Sequence, residues 1–210
     1  MATLKNGLFG QFSGKIGGVV GSSWKGKQVV KKLPGPRKTG PSPVQLKQQA
    51  RFTQLIGFLK PITPILNKAF EKTKLQMTAF NKAFSNNKNA VTGIYPDFTI
   101  DYTNVILCKG SIRNPNVITV MVNSEGKMVL SVSKSSLYSI AAIWTLFFIA
   151  AYNEESRRWI YVMNPAPASD QTYELDLSLF RSKSFHTYAG FMPATGSSTI
   201  SLYTGIITVQ

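Results

Sequence analysis

One cysteine, Cys108, and one histidine, His186, are the whole supply of those two residue types in this 210-residue chain. A lone cysteine makes no intramolecular disulfide, and a lone histidine builds neither a histidine-rich metal centre nor a histidine pair. Disulfide scaffolds and the common zinc sites are excluded, and no cofactor is expected. Long apolar runs are missing too. The longest, Ile140 to Tyr152 broken only by Thr145, is far short of the roughly 20 residues that span a bilayer as a helix. The opening MATLKNGLFGQFSGK has a lysine at position 5 but no apolar stretch behind it, so it does not read as a secretory signal. A soluble protein with no membrane span is expected. Acidic residues are the scarcest resource at one end, where Glu71 is the only one before Asp97.

Basic residues fill that end instead. Lys and Arg number 24 against 9 Asp and Glu, a formal charge of +15. Residues 1–92 hold 16 basic residues against 1 acidic, and residues 93–210 hold 8 of each. Soluble surfaces normally intersperse the two signs. A separation this complete points to an anionic partner for the N-terminal part: nucleic acid, an acidic protein surface, or an assembly that supplies the counter-charge. The plain alternative is a solvated lysine surface. With 43% of the chain apolar, there is ample material for a core in one domain or two small ones.

The local patterns divide the chain into three. Seven glycines between Gly7 and Gly26 give a backbone freedom that no stable helix tolerates. Ile16 to Val20 and Gln28 to Leu33 are β-prone and flank a turn near Lys25-Gly26-Lys27, which predicts a ribbon. Leu33 to Pro43 holds four prolines and two glycines, the composition of a stiff arm. Ser42 can cap a helix with Pro43 in its first turn, and Leu46, Phe52, Leu55, Ile56 and Leu59 recur at helical spacing until Pro61 ends or kinks it. A second amphipathic helix is expected from about Pro64 through Phe84, with Phe70, Phe80 and Phe84 as core or interface residues.

Beyond Thr99 the period becomes that of strands. Candidates are Thr103–Lys109, Val117–Val122, Lys127–Ser133, Ile140–Ala151, Arg157–Met163, Thr172–Leu177, Phe185–Met192 and Thr199–Val209, with turn signals between them. This spacing is that of an immunoglobulin-like or fibronectin-like β-sandwich. The strand holding Trp144, Phe147 and Phe148 is apolar on both alternations, so it should be buried on both faces or covered by the helices. The fold class expected is therefore α+β: a basic glycine-rich β-ribbon and Pro-rich arm (residues 1–41), two amphipathic helices (42–92) and an antiparallel sandwich (93–210).

Motifs for chemistry are weak. Gly21 to Gln28 comes within one residue of a phosphate-binding loop, but Gln28 lacks the magnesium-binding hydroxyl and no helix pattern follows. Asp97 and Asp101 lie where Asp favours turns, as do Glu154 and Glu155. Cys108 is flanked by apolar residues, and His186 alternates within a strand; both read as structural. No catalytic residue is assigned and no enzyme is expected. A better case exists for contact: Lys15, Lys25, Lys27, Lys31, Lys32, Arg37 and Lys38 surround Trp24 on the ribbon and arm, a cluster able to neutralise phosphates or acidic side chains. With two Arg among the 16 basic residues and no recognition helix, nucleic-acid binding there would be backbone-directed and unspecific.

Gly10 to Pro34, with Ser42-Pro-x-Gln-Leu-x-Gln-x-Ala-Arg-Phe52, resembles a family of uncharacterised Bacteroidota proteins known only as a domain of unknown function. Gly93-x-Tyr-Pro-Asp-x-x-x-Asp-Tyr102 and Leu107-x-Lys-Gly110 match its later signature. The order of ribbon, arm and helix is also similar to small phage and prophage structural proteins. The family carries no assigned activity, so the resemblance lends no site residues. It implies a link to virions or prophage-like particles. Charge and resemblance together lead to a non-enzymatic structural protein of a virion-like assembly, docking by its basic arm on copies of itself or on other subunits. A cytoplasmic nucleic-acid binder and a surface adhesion module are the alternatives.

Overall fold

The computed structural model describes residues 3–4, 12–24, 27–36, 39–70, 77–110, 118–123, 127–132, 144–165, 171–177, 184–193 and 201–208. Antiparallel sheet dominates and helices are added to it, so the molecule is mixed and mostly β. The chain divides into two compact units, residues 1–43 and 44–210.

The first unit is a meander of four antiparallel strands in sequence order: β1 (Thr3–Leu4), β2 (Phe12–Ile16), β3 (Val19–Trp24) and β4 (Lys27–Lys32). β3 and β4 form the ribbon that the sequence predicts. The expected strand Ile16–Val20 is instead a turn between two strands, because Gly17 and Gly18 close it and Gly17 takes φ 55°, the left-handed region that glycine enters without penalty. Gly21 is needed for a different reason: a Cβ there would run into the Phe12 ring. The described part of the Pro-rich stretch, 33–36 and 39–42, is neither helix nor strand.

In the second unit α1 (Pro43–Leu59) opens on the expected proline and stops before Pro61, where Lys60–Ile62 makes a tight 3-10 turn. The second helix differs from expectation. It is two helices, α2 (Thr63–Ala69) and α3 (Ala79–Asn87), and α3 starts afresh at Thr78, whose backbone is extended and whose side-chain Oγ1 accepts from Asn81 N at 3.2 Å. That is N-cap geometry, and it ends any continuous helical repeat. A short hairpin follows, β5 (Val91–Ile94) and β6 (Asp97–Ile100), which the sequence reading did not foresee.

The expected strand Thr103–Lys109 is also absent. Asp101 turns the chain at this point: one carboxylate oxygen accepts from Thr103 N at 3.1 Å and from the Thr103 hydroxyl at 2.6 Å, and the other accepts from Asn104 Nδ2 at 2.7 Å. Such local bonds compete with a strand ladder. The backbone beyond is satisfied by side chains instead. Asn87 accepts from Ile106 N and donates to Ile106 O, both at 2.7 Å, and donates to Ala83 O at 2.9 Å, while Ser201 Oγ accepts from Leu107 N at 2.9 Å. Buried backbone groups need such partners.

The remaining strands are β7 (Ile118–Val122), β8 (Lys127–Val132), β9 (Trp144–Asn153), β10 (Arg158–Pro165), β11 (Gln171–Asp176), β12 (Ser184–Pro193) and β13 (Leu202–Thr208). They form antiparallel sheets β11-β8-β7 and β10-β9-β12-β13. The alternation along β9 is the key to the packing. Phe147, Ile149 and Ala151 join Met128, Leu130, Leu175 and Phe191 in a core between the two sheets. Phe148, Ala150 and Tyr152 join Phe58, Leu59, Ile62, Ile65 and Leu66 in a core on the helices. This central strand is buried on both faces, as its sequence implies. Phe70 is buried, and Phe80 and Phe84 pack partly buried against the helical core.

Candidate functional site

Strand register in the first unit sorts the basic residues. Side chains alternate between faces along a strand, and paired residues share a face. Lys15 pairs with Val20 and Val20 with Lys31, while Trp24 pairs with Lys27. Lys15, Lys27 and Lys31 therefore share one face, all exposed, with Val20 and Val29 half-buried between them. Lys32 pairs with Val19 and falls on the opposite face beside Ile16 and Val30. The sheet thus brings three of the expected contact residues together and separates a fourth. Lys25, Arg37 and Lys38 lie outside the described residues, as does the side chain of Trp24. The segment Gly21 to Gln28 is paired strand at both ends, with Gln28 Nε2 donating to Phe12 O at 2.6 Å; a strand-loop-helix phosphate cradle is not its geometry.

Cys108, Asp101 and His186 of the second unit each make contacts within the fold. Cys108 is buried, and its sulfur would lie 3.0 Å from a Cβ placed on Gly190. Asp101 is held below the usual carboxylate range by hydrogen bonds from Thr103 and Asn104. His186 stacks on Tyr102 with ring centroids 3.8 Å apart, and its Nδ1 lies 2.9 Å from Tyr203 Oη. Burial lowers its pKa, opposed by Glu154, whose carboxylate is 3.9 Å from Nε2. Around them Tyr152, Trp159, Tyr188 and Phe58 interlock, with Trp159 Nε1 donating to Phe58 O at 2.7 Å and the Tyr188 hydroxyl to Tyr102 O at 2.8 Å. Burial raises the pKa of Tyr102 and Tyr188 far above the ordinary phenol value. The cluster joins helix to sheet through neutral, hydrogen-bonded rings.

A cleft of about 500 Å³ opens between α1 and α3, where Phe52, Leu55, Phe84 and Val91 make an apolar floor and Gln48, Arg51, Lys88 and Asn89 a polar rim. Arg51 is fixed in place: it donates to Val91 O at 2.9 Å, and its guanidinium carbon lies 5.7 Å from the centre of the Phe98 ring. Phe52 meets Phe84 at 4.9 Å and is still 52% exposed. Beside the cleft the hairpin β5-β6 carries Ile94 at its tip, 82% exposed, next to Tyr95 at 45%. In the sequence Gln48, Arg51 and Tyr95 stand out only within the motifs that resemble a family, and Phe52 also within the apolar repeat of the first helix. Phe52 keeps the helical period with Leu55 and Leu59, so spacing alone gives no sign that it stays 52% exposed. Among the described residues no helix is long and apolar enough to cross a membrane.

No curated protein and no solved structure matches this chain. A family model does match, over residues 11–205, a span that takes in strands β2 to β4, the cleft, the hairpin and most of both cores. The chain belongs to the family of unknown function DUF6266.

Proposed function

We propose that this chain is a non-enzymatic structural subunit of a repeated assembly, attached to its neighbours through residues 1–43. One observation carries the reading. Among the residues of that unit whose burial is described only Gly21 is buried; Lys15, Lys27 and Lys31 occupy one face of the sheet, and Ile16, Val19 and Val30 stand 44%, 38% and 54% exposed on the other beside Lys32. A small sheet persists when a hydrophobic face is packed against something, and a unit of roughly 40 residues is too small to supply that core itself. Both faces suit contact with copies of the chain or other subunits, where acidic surfaces would meet Lys15, Lys27 and Lys31. The likeness to phage and prophage structural proteins makes a virion the assembly to search first, by immunoblotting purified particles against the cytoplasmic fraction.

The seven strands β7 to β13 would present the outer surface as an immunoglobulin-like sandwich. Their order supports this: first, second and fifth strands form one sheet, and third, sixth and seventh form the other with the fourth added beside the third. An experimental structure that pairs β7 or β8 with β9 would remove the assignment.

The lysine row also suits a second reading, backbone-directed nucleic-acid binding. Lys15 and Lys31 stand two strands apart, about 10 Å. Light scattering of the purified chain with and without DNA, at about 50 and about 200 mM salt, separates the two. Oligomers that persist in salt and ignore DNA support the assembly. A monomer that binds DNA with a log-log salt slope of about −3, as three phosphate contacts require, replaces it.

A further inference from the structure

We propose that the cleft between α1 and α3 is a self-docking site whose occupant is the β5-β6 hairpin tip of a second copy. This surface lies wholly within residues 44–210 and is independent of attachment through the N-terminal sheet.

The cleft and the tip are complementary in each respect that can be compared. The floor of Phe52, Leu55, Phe84 and Val91 is apolar, and the tip offers Ile94, at 82% the most exposed large apolar side chain among the described residues, with Tyr95 beside it. The rim carries Arg51 and Lys88 and no carboxylate, and the tip carries the exposed Asp97 immediately after its turn. Arg51 is already oriented by Val91 O and Phe98, so little ordering remains to be lost on docking. An aliphatic and aromatic anchor in an apolar pocket, bordered by opposite charges, is the usual composition of an interface centre.

The tip cannot serve its own cleft. Val91 lines the cleft and is also the first residue of the hairpin, and the ladder Val91 with Ile100, Thr92 with Thr99, Gly93 with Phe98 and Ile94 with Asp97 carries the tip away from that root. Four residues of strand put Ile94 about 10 Å from Val91. The ladder is also tight: the Thr92 and Thr99 hydroxyls are 3.2 Å apart, and a Cβ on Gly93, at φ 94°, would lie 2.5 Å from Asp97 O. Because root and cleft adjoin, two copies related by a two-fold axis can exchange tips, each Ile94 entering the other copy's cleft. That is the closed isologous arrangement most homodimers use.

The test uses the full chain. Sedimentation from micromolar to millimolar concentration should show a concentration-dependent dimer, weakened about tenfold or more by Ile94→Asp and likewise by Phe52→Gln; at dilutions where the chain is monomeric Ile94→Asp leaves the thermal midpoint unchanged, because that side chain is 82% exposed. Lys31→Glu should leave the dimer intact, which separates this site from attachment through the N-terminal sheet. A chain carrying Lys88→Cys mixed with one carrying Ile94→Cys should form a mixed disulfide faster than either forms with itself. A monomer throughout the range overturns the proposal. A dimer indifferent to both Ile94→Asp and Phe52→Gln overturns it too, as does a cleft filled by residues 1–43 of its own chain or by an anionic amphiphile.

Discussion

Two antiparallel sheets in this molecule have nearly the same secondary structure and opposite surroundings. Strands β2 to β4 leave lysines exposed on both faces and valines on one, while β9 and β12 are covered on both, by the helices on one side and by β8 and β11 on the other. The difference shows what hydrogen-bonded ladders do not supply. Ladders are present in both sheets, but among the described residues only the second contributes side chains to a hydrophobic core, which is the main source of stability.

The sharpest way to break this contrast is to remove equivalent bulk from each sheet. Phe148→Ala, fully buried against the helices, should cost about 3–5 kcal/mol in urea denaturation; a loss under about 1 kcal/mol would mean that the helical core is not continuous. Next in size is Asn87→Leu. It strands the amide and carbonyl of Ile106, which have no ladder partner, and should cost about 2–4 kcal/mol, with hydrogen exchange accelerated at Ile106. Trp159→Phe keeps most of the ring contacts but removes the indole donor from Phe58 O, for a loss of about 1 kcal/mol that calorimetry would resolve.

Smaller still is the effect of pH. Burial lowers the His186 pKa below its value of 6.5 in the open chain, so the unfolded state takes up the proton first. Stability is complete above pH 6.5 and declines as the pH falls through it toward the folded value. Thermal midpoints should drop on acidification, and His186→Phe should flatten that drop; a rise would reverse the assigned sign. At the bottom of the scale, Val30→Thr in the N-terminal sheet should change stability by less than about 0.5 kcal/mol. If it nonetheless reduces assembly, the contrast between a sheet for stability and a sheet for contact is sharpened.

The sequence made some of this legible and concealed the rest for identifiable reasons. Periodicity located α1 and the strands from β7 onward, because burial on a defined face leaves a repeat of 3.6 or 2. It also exposed the two-sided burial of β9. It failed where a single polar side chain redirects the backbone. Thr78 restarts a helix and Asp101 replaces a strand with a turn, and a periodicity window averages over both. Lysine composition was plain, but its sorting onto faces depends on register, and Lys32 was grouped with Lys31 although one residue places it on the other side. The cleft was hidden because its floor is drawn from α1, α3 and β5, segments joined only by tertiary packing.

Burial on both sides of β9 also bears on how the chain chooses its alignment. An ordinary strand is held in register by the contrast between its wet and dry faces; a shift of one residue would expose apolar groups. Here both alternations are apolar, so that contrast carries almost no information, and shape must supply it. Gly190 stands directly opposite Phe148, and a Cβ at that position would lie 2.5 Å from the ring. At the end of the strand the Asn153 side chain accepts from Ser156 N at 2.7 Å and donates to Ser184 O at 2.9 Å, pinning the turn and the neighbouring strand together. One glycine and one asparagine thus specify an alignment that hydrophobicity leaves degenerate.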